Sequence, residues 1–423
     1  MSENNQVQLP VQNEGPTEGQ NAGPVQNAGP GQEQGQEQEQ EQGPPLKELT
    51  SWEDLEAKVP LLRGIYAYGF ETPSPIQKKA ILPLFAKKDV IAQAQSGTGK
   101  TACFTIGALQ LIDVGKKAHQ VIILSPTREL AIQTKLVVDN IGSMFTKLRT
   151  QLLVGGTSVD EDIKQLYDNP PHIVIGCPGR IHDMLKRRKL LTRDLCLLVL
   201  DEADEMLSSG FKDQIYNIFQ FMPTTIQVAL FSATLPPELH LITQKFMRSP
   251  VEILVKAEQL TLEGIKQYYV ALENDDEKYE TLKDIYGSLA ISQSIIYCNS
   301  NKRVNDLFQA MQIDNFPACQ IHSNMEKAER LQSYEDFKSG KTRVLISSNV
   351  TARGIDIQQV STVINFDVPN CVHTYLHRIG RSGRWGRKGV GINFVTSRDM
   401  RSLKEIEQHY ATKISELSEN WMV

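Results

Sequence analysis

Ala94-Gln95-Ser96-Gly97-Thr98-Gly99-Lys100-Thr101 follows the apolar run Val90-Ile91-Ala92 and leads into a helical stretch that reaches about Leu111. The order is strand, tight turn, helix. Gly97 and Gly99 let the backbone turn so that successive N–H groups face an anion, and the helix start adds its positive dipole end. Lys100 brings a point charge to the β- and γ-phosphates of a nucleotide, and Thr101 a hydroxyl for Mg²⁺. The first glycine of the usual pattern is Ala94 here, so the match is relaxed. A glycine-rich turn with no ligand would give the same string.

A second stretch decides between those readings. Leu195–Leu200 is an apolar strand that runs into Asp201-Glu202-Ala203-Asp204. At a strand end Asp201 can hold Mg²⁺ through water, and Glu202 can orient or deprotonate an attacking water. By itself an acidic tetrad is more often a solvated helix start. Behind a phosphate loop and a strand of Leu and Val it reads as a metal and water site for ATP.

The chain has 423 residues and is 40% hydrophobic, enough for two globular domains and a tail. No apolar run approaches the ~20 residues that span a bilayer, so no membrane partner is expected. The N-terminus lacks the basic-then-apolar pattern of a secretory signal. Six cysteines, at 103, 177, 196, 298, 319 and 371, show no metal-ligand spacing. They read as reduced core cysteines of a cytosolic or nuclear protein. The net charge of −5 misleads: residues 1–46 hold seven glutamates and no Lys or Arg, leaving +2 for the remainder. A nucleic-acid partner is compatible with that balance.

Residues 1–45 are Gln, Gly, Glu, Asn and Pro with little to bury, and read as a disordered tail. From 46 to 248, strands at Val121–Leu124, Ile173–Ile175, Leu197–Leu200 and Val228–Phe231 alternate with helical patterns. Residues 249–264 read as a linker. A second series fills 265–423, with strands at Ile295–Tyr297, Gln320–His322, Val344–Ser347, Val363–Phe366 and Ile392–Val395. The rhythm predicts an α/β fold of two parallel sheets, each covered on both faces, with a cleft between them. The basic run Lys186-Arg187-Arg188-Lys189 reads as a solvated helix end rather than an import signal.

These motifs, in this order, resemble the DEAD-box ATP-dependent RNA helicases over about residues 50–412. LLRGIYAYGF at Leu61–Phe70, VLDEADEMLSSGFKDQI at Val199–Ile215 and LTLEGIKQ at Leu260–Gln267 resemble the initiation-factor 4A branch of that family, with its cytoplasmic members and their nuclear paralogues. The resemblance implies two tandem RecA-like domains joined by a short linker, ATP and Mg²⁺ as cofactors, and RNA as substrate. It also implies a monomer, and a scaffold protein of the translation initiation complex as partner. Its compartment would be the cytoplasm, with the nucleus as the alternative.

Residue by residue, Gly69–Gln77 resembles the adenine-reading motif, with the Gln77 amide and the Thr72 backbone on the base and Trp52 as the upstream aromatic. The loop Ala94, Gln95, Ser96, Gly97, Thr98, Gly99, Lys100 and Thr101 would hold the phosphates. Ser232-Ala233-Thr234 resembles the motif that couples hydrolysis to RNA, its hydroxyls bonding the Asp204 carboxylate. RNA would be gripped by Pro126, Thr127, Arg128, Gly156, Pro178, Gly179 and Arg180 in the first domain and by Arg330 and Arg353 in the second, through backbone and sugar rather than bases. Arg381 and Arg384, three apart on a helical turn, would act as arginine fingers, with Asp356 near the ribose.

Departures from the family gather in the second domain. His-Gly-Asp-Met appears as His322-Ser323-Asn324-Met325, the Gln of Gln-x-x-Arg is Lys327, and Asp is replaced by Asn349. In the first domain Cys177 stands for Thr. If position 349 holds an arginine, its bond falls from about 1.5–3 to about 0.5–1.5 kcal/mol. The reading that follows is an RNA-dependent ATPase and helicase acting on single-stranded RNA or short duplexes of mRNA 5′ leaders. The alternative is an ATP-dependent RNA clamp that nucleates an mRNA–protein particle and turns over slowly. A small-molecule kinase explains neither the second sheet nor its arginines.

Overall fold

Apolar runs of four to seven residues make most of the strands, and in them successive side chains enter opposite cores. The computed structural model describes residues 48–95, 97–208, 210–254, 264–288, 292–351, 359–382 and 388–417. Among them the first sheet contains β1 (Val90–Gln93), β2 (Val121–Leu124), β3 (Thr150–Leu153), β4 (Ile173–Gly176), β5 (Leu197–Asp201), β6 (Gln227–Ser232) and β7 (Val251–Ile253). Their order is β3-β4-β2-β5-β6-β1-β7, and every pairing is parallel. Val121, Ile123, Val199, Ala229 and Phe231 enter one core; Ile122, Leu124, Leu198, Leu200, Val228 and Leu230 enter the other. Burial on both faces is the usual condition of a parallel sheet.

Helices supply the covering layers: α1 (Val59–Ala67), α2 (Pro75–Phe85), α3 (Lys100–Leu111), α4 (Arg128–Ile141), α5 (Val159–Asp168), α6 (Pro178–Lys186), α7 (Ala203–Ser208), α8 (Lys212–Gln220) and α9 (Pro237–Phe246). α3 is held to the sheet by Phe104, which meets Phe231 of β6 edge-on at 5.2 Å. Such a pair contributes about 0.5–1.5 kcal/mol beyond its buried area. It fixes the helix that carries Lys100.

The second sheet repeats the plan with β8 (Ile265–Ala271), β9 (Ser294–Tyr297), β10 (Ala318–Ile321), β11 (Val344–Ser347), β12 (Thr362–Asn365), β13 (Gly389–Val395) and β14 (Ser415–Glu416). The order is β10-β11-β9-β12-β13-β8-β14, again all parallel. Its helices are α10 (Glu277–Ser288), α11 (Asn301–Ile313), α12 (Lys327–Lys338), α13 (Val372–Ile379) and α14 (Met400–Tyr410). Ile295, Tyr297, Leu345 and Val363 face one core, Ile296, Val344, Ile346 and Ile364 the other. Leu46–Val423 is one compact unit that contains both sheets. Ala233 of the first lobe packs into the core that holds Tyr297 and Tyr375.

The linker reading over 249–264 is corrected at its start. Val251–Ile253 pairs with β1 as the edge of the first sheet, and Ile253 joins the core. A three-residue strand behind Pro250 is too short to carry a periodicity. β10 begins two residues before the expected Gln320. β3, β8 and β14 were not read from the sequence: Thr150–Leu153 and Ile265–Ala271 mix polar residues with apolar ones, as edge-ward strands do. The tail and residues 255–263 lie outside the described residues.

Candidate nucleotide and RNA site

β6 lies between β1 and β5, so three motifs leave adjacent strands at the same sheet edge. The phosphate loop follows β1, Asp201-Glu202 ends β5, and Ser232-Ala233-Thr234 ends β6. In open α/β sheets this carboxyl edge is where ligands bind. The Ala94 N–H donates to the Ser232 carbonyl at 3.0 Å, tying the loop to the neighbouring motif. Within the loop the Thr98 hydroxyl donates to the Gln95 carbonyl at 2.7 Å. Gly97 and Gly99 have φ of 82° and 96°, left-handed values that glycine adopts without steric cost. Ser96 lies outside the described residues.

Gln77 is buried against this loop. Its Oε1 accepts from the Ser74 N–H at 2.8 Å and its Nε2 donates to the Gly99 carbonyl at 3.2 Å. A Cβ at Gly99 would stand 2.6 Å from that Nε2, so any side chain there would push the Gln77 amide from its place, and the φ is one that glycine adopts freely. One amide proton and one lone pair remain for a base. Thr72 is exposed beside it. Trp52, the upstream aromatic, is 1% exposed and stacks on Phe70 at 6.3 Å, so it packs beneath the site as part of the core.

Lys100 and Glu202 face each other, Nζ to Oε1 at 3.3 Å, both almost fully buried. Burial pushes the Glu202 carboxyl up, but Lys100, His377 and Arg381 outweigh it and hold the group below the usual carboxylate range. Asp201, one residue earlier, goes the other way. Burial and the Glu202 charge push it up to about 7. Glu202 also has φ of 49°, an uncommon backbone for a non-glycine residue, of a kind concentrated at functional sites.

Two neighbouring carboxylates, one of them hard to ionise, fit a hard divalent cation with oxygen donors. Asp201 and the Thr101 hydroxyl would hold Mg²⁺. When bound, the cation would neutralise charge on the phosphate oxygens.

Asp204 is the junction between the lobes. Its Oδ2 accepts from the Thr234 hydroxyl at 2.6 Å and from His377 Nε2 at 2.9 Å, so Nε2 carries the proton. The expectation that both hydroxyls bond this carboxylate is corrected for Ser232, whose Oγ accepts from the Asp204 N–H at 3.3 Å. His377 comes from α13, in the second lobe, and sequence reading had assigned it no role. Its signal was its place in the arginine-finger motif, one residue before Arg378.

Arg381 is buried, and its Nε donates to the His377 carbonyl at 3.1 Å. Burial pulls its guanidinium below the ordinary value, while Tyr297 and the Glu202 charge oppose that pull. It sits beyond α13, which ends at Ile379 with Gly380 as its C-cap, so a turn rather than a helix aims it. Arg384, Arg353 and Asp356 lie outside the described residues.

The expected RNA residues line a second region. Pro126 is buried at the end of β2, and Thr127 caps α4 by accepting from the Leu130 N–H at 3.3 Å. Arg128 Nη1 donates to the Gly155 carbonyl at 3.4 Å. Pro178 is buried at the start of α6, and Gly179 is exposed beside it. Cys177 caps that helix with no side-chain hydrogen bond, and burial pushes its thiol up to about 12.

Arg180 is corrected. Its guanidinium is spent on Asp162 and on the Thr157 hydroxyl and carbonyl, so it holds the Gly155–Thr157 loop to α5 and has little left for a phosphate. Arg330 reaches across to Glu129 at 2.7 Å, and Gln133 Nε2 donates to the Tyr334 hydroxyl at 2.7 Å. Glu129 and Tyr334 were not expected as partners.

The DEAD/DEAH box helicase family matches residues 74–242 and the helicase conserved C-terminal domain matches 277–386. A rice protein (Oryza sativa subsp. japonica) named eukaryotic initiation factor 4A-III homolog A is 51% identical over 380 residues, covering 90% of this chain and 94% of its own. An ATP-dependent RNA helicase eIF4A of Aspergillus clavatus is 53% identical over 370 residues, covering 88% and 92%. Among solved structures, Saccharomyces cerevisiae Dbp5 bound to RNA and ADP BeF3 superposes with a TM-score of 0.82 at 35% identity, covering 88% of this chain and 97% of that one. Mss116p bound to ssRNA and AMP-PNP gives 0.80 at 27% identity, covering 89% and 81%.

Proposed function

This chain belongs to the DEAD-box ATP-dependent RNA helicases, and we propose that it locally unwinds short duplexes in mRNA leaders during translation initiation. The observation that carries the reading is the His377–Asp204–Thr234 junction, which ties the second lobe to the acidic motif of the ATP site. ATP hydrolysis can thus respond to whatever holds the lobes together. RNA lying across both lobes would do so. Lys100 would neutralise phosphate charge, Glu202 would orient the attacking water, and Arg381, with Arg384, would stabilise the transition state. The name of the Aspergillus relative, eIF4A, supports initiation as the setting, whereas that of the rice relative, 4A-III, fits the alternative role as well. A scaffold protein bridging the lobes and a cytoplasmic location belong to the same proposal, with the nucleus as the other compartment. Among the described residues no helix is long and apolar enough to cross a membrane.

The second reading, a slow ATP-dependent clamp on RNA, draws on Asn349, Asn324 and Lys327, where second-lobe groups differ from the family's. ATP hydrolysis by the purified chain, with and without single-stranded RNA, tests both. Strong stimulation supports the helicase. Weak turnover together with an ATP–RNA complex that survives excess competitor RNA supports the clamp. No stimulation and no stable complex would overturn both.

A further inference from the structure

The strands of the first sheet are all parallel, so their starts share one edge. It lies opposite the carboxyl edge, where the phosphate loop and the expected RNA residues of that lobe sit. The loops that lead into the seven strands hold eleven lysines and arginines against three aspartates. Everything after residue 46 carries only +2, so this edge is a concentrated exception. Lys87 and Lys88 precede β1, and Lys116 and Lys117 precede β2. Arg188, Lys189 and Arg193 precede β5, continuing the basic run that ends α6. All seven are exposed.

The aspartates offset little of this charge. Asp89 is buried and accepts from the Val228 N–H at 2.8 Å and the Arg248 N–H at 2.7 Å. Asp113 accepts from the Gly115 N–H at 2.9 Å. Arg187 is paired with Asp183 at 2.8 Å, but Lys87, Lys116, Lys117, Arg188 and Arg193 make no ion pair among the described residues. Cations from separate loops also converge. Burial pushes the Cys196 thiol up, while the charges of Lys87, Lys58 and Lys116 all pull it the other way. Two rings lie open at the same edge: Tyr167, 84% exposed in the last turn of α5, and Phe221, 39% exposed in the loop before β6.

We propose that this amino edge is a second surface for single-stranded RNA, and that it takes the part of the strand lying outside the cleft. The assignment rests on RNA as the substrate and deepens that reading. Lysines and arginines in a row fit phosphates, and open rings among them fit unstacked bases, a combination that grips a strand without reading its sequence. An acidic peptide would use the charges and leave Tyr167 and Phe221 without a task. Seven strands ~4.8 Å apart give the edge a length of roughly 30 Å, room for several nucleotides. The surface belongs to the first lobe alone, so its grip needs no closure of the lobes. RNA held there stays with the chain between rounds of ATP turnover.

The test is anisotropy of fluorescein-labelled oligouridines of about 10 and about 40 nucleotides, bound by the full chain with ADP and beryllium fluoride and again without nucleotide. The variant combines Lys116→Gln, Lys117→Gln and Arg193→Gln. Each single-stranded phosphate contact contributes ~0.7 to the log–log salt slope, so the slope for the longer RNA should fall by about 2. Between about 50 and 200 mM salt the variant should then lose roughly 20-fold less affinity than the unmutated chain, with or without nucleotide. Affinity for the shorter RNA, and its stimulation of the ATPase, should be unchanged. Tyr167→Ala should weaken the longer RNA about fivefold and leave the slope alone, as loss of one stacked base would. Equal slope and affinity for the longer RNA in the triple variant would overturn the proposal. So would an equal loss for both lengths, which would place these cations within the cleft's own binding. Failure of the unmutated chain to bind either RNA would overturn the RNA reading itself, and this assignment with it.

Discussion

Asn349 holds Arg378 with one oxygen: its Oδ1 accepts from Nε at 2.9 Å and from Nη2 at 2.6 Å. Arg378 is fully buried, and its other partners are also neutral oxygens, those of Asn299, Asn365 and the Asp367 carbonyl. They arrive from the ends of β9, β11 and β12, three neighbouring strands, so the arginine locks the carboxyl edge of the second sheet. Burial pulls its guanidinium down to about 10. The conditional drawn from sequence, that position 349 might hold an arginine, is met.

Asn349→Asp should therefore stabilise the chain. Exchanging a neutral acceptor for a charged one adds about 1–1.5 kcal/mol. In a domain of this size that raises the melting temperature by about 2–5 °C. The new carboxylate would have a depressed folded pKa beside Arg378. Its gain is present above the unfolded Asp value near 3.9 and is lost as pH falls through the folded one. Thermal melts of the two proteins at neutral pH check this, and equal midpoints would refute it.

Asp201 sets a pH dependence of opposite sign. Its folded carboxyl is raised to about 7, against an unfolded value near 3.9. The folded state therefore binds the extra proton, and stability declines as pH rises through about 7. Asp201→Asn should melt above the unmutated chain at pH 8, with the gap closing as pH is lowered towards 5. The same proton competes with Mg²⁺, so apparent Mg²⁺–ATP affinity should rise with pH up to about 7 and then level off. A melting gap independent of pH would exclude the assignment.

Glu202→Gln should leave ATP binding in place and lower turnover by about 10²–10⁴, the usual contribution of a general base. The isosteric amide also releases Lys100, whose ammonium now lies 3.3 Å from the carboxylate. ATP affinity, read with a fluorescent analogue, should hold or tighten. Unchanged turnover would remove Glu202 from the chemistry.

His377→Ala should separate the two lobes' contributions. Loss of a charge-assisted bond of about 1.5–3 kcal/mol to Asp204 predicts at least a tenfold fall in RNA stimulation of the ATPase. Binding of ATP to the first lobe should change little. A variant as strongly stimulated by RNA as the unmutated chain would show that Asp204–His377 is not the coupling link.

Arg180→Ala should behave as a stability mutant. Removing one partner of the buried Arg180–Asp162 pair costs about 3–5 kcal/mol because the other charge is stranded. Denaturation midpoints should drop clearly, while RNA affinity at a temperature where the variant is folded should change little. A large loss of RNA affinity with an unchanged midpoint would restore Arg180 to the RNA surface.

The chain by itself determined the parallel sheets and the nucleotide loop, because both depend on local features. A run such as Val121–Leu124 can only be buried on both faces, and the Gly97 and Gly99 turns need left-handed backbone wherever the loop ends up. Strand ends then placed Asp201 and Glu202 beside that loop without further instruction. Partnerships of long or shared polar groups were decided only by the tertiary structure. Ser232 and Thr234 are two residues apart and look equivalent as strings, yet one meets the Asp204 backbone and the other its carboxylate. Arg180 reads as a cation beside a glycine, ready for a phosphate, but Asp162 claims it. A side chain's type is written at its own position. Its partner is set by which strand ends and helix starts converge on it, and those come from residues far away in the chain.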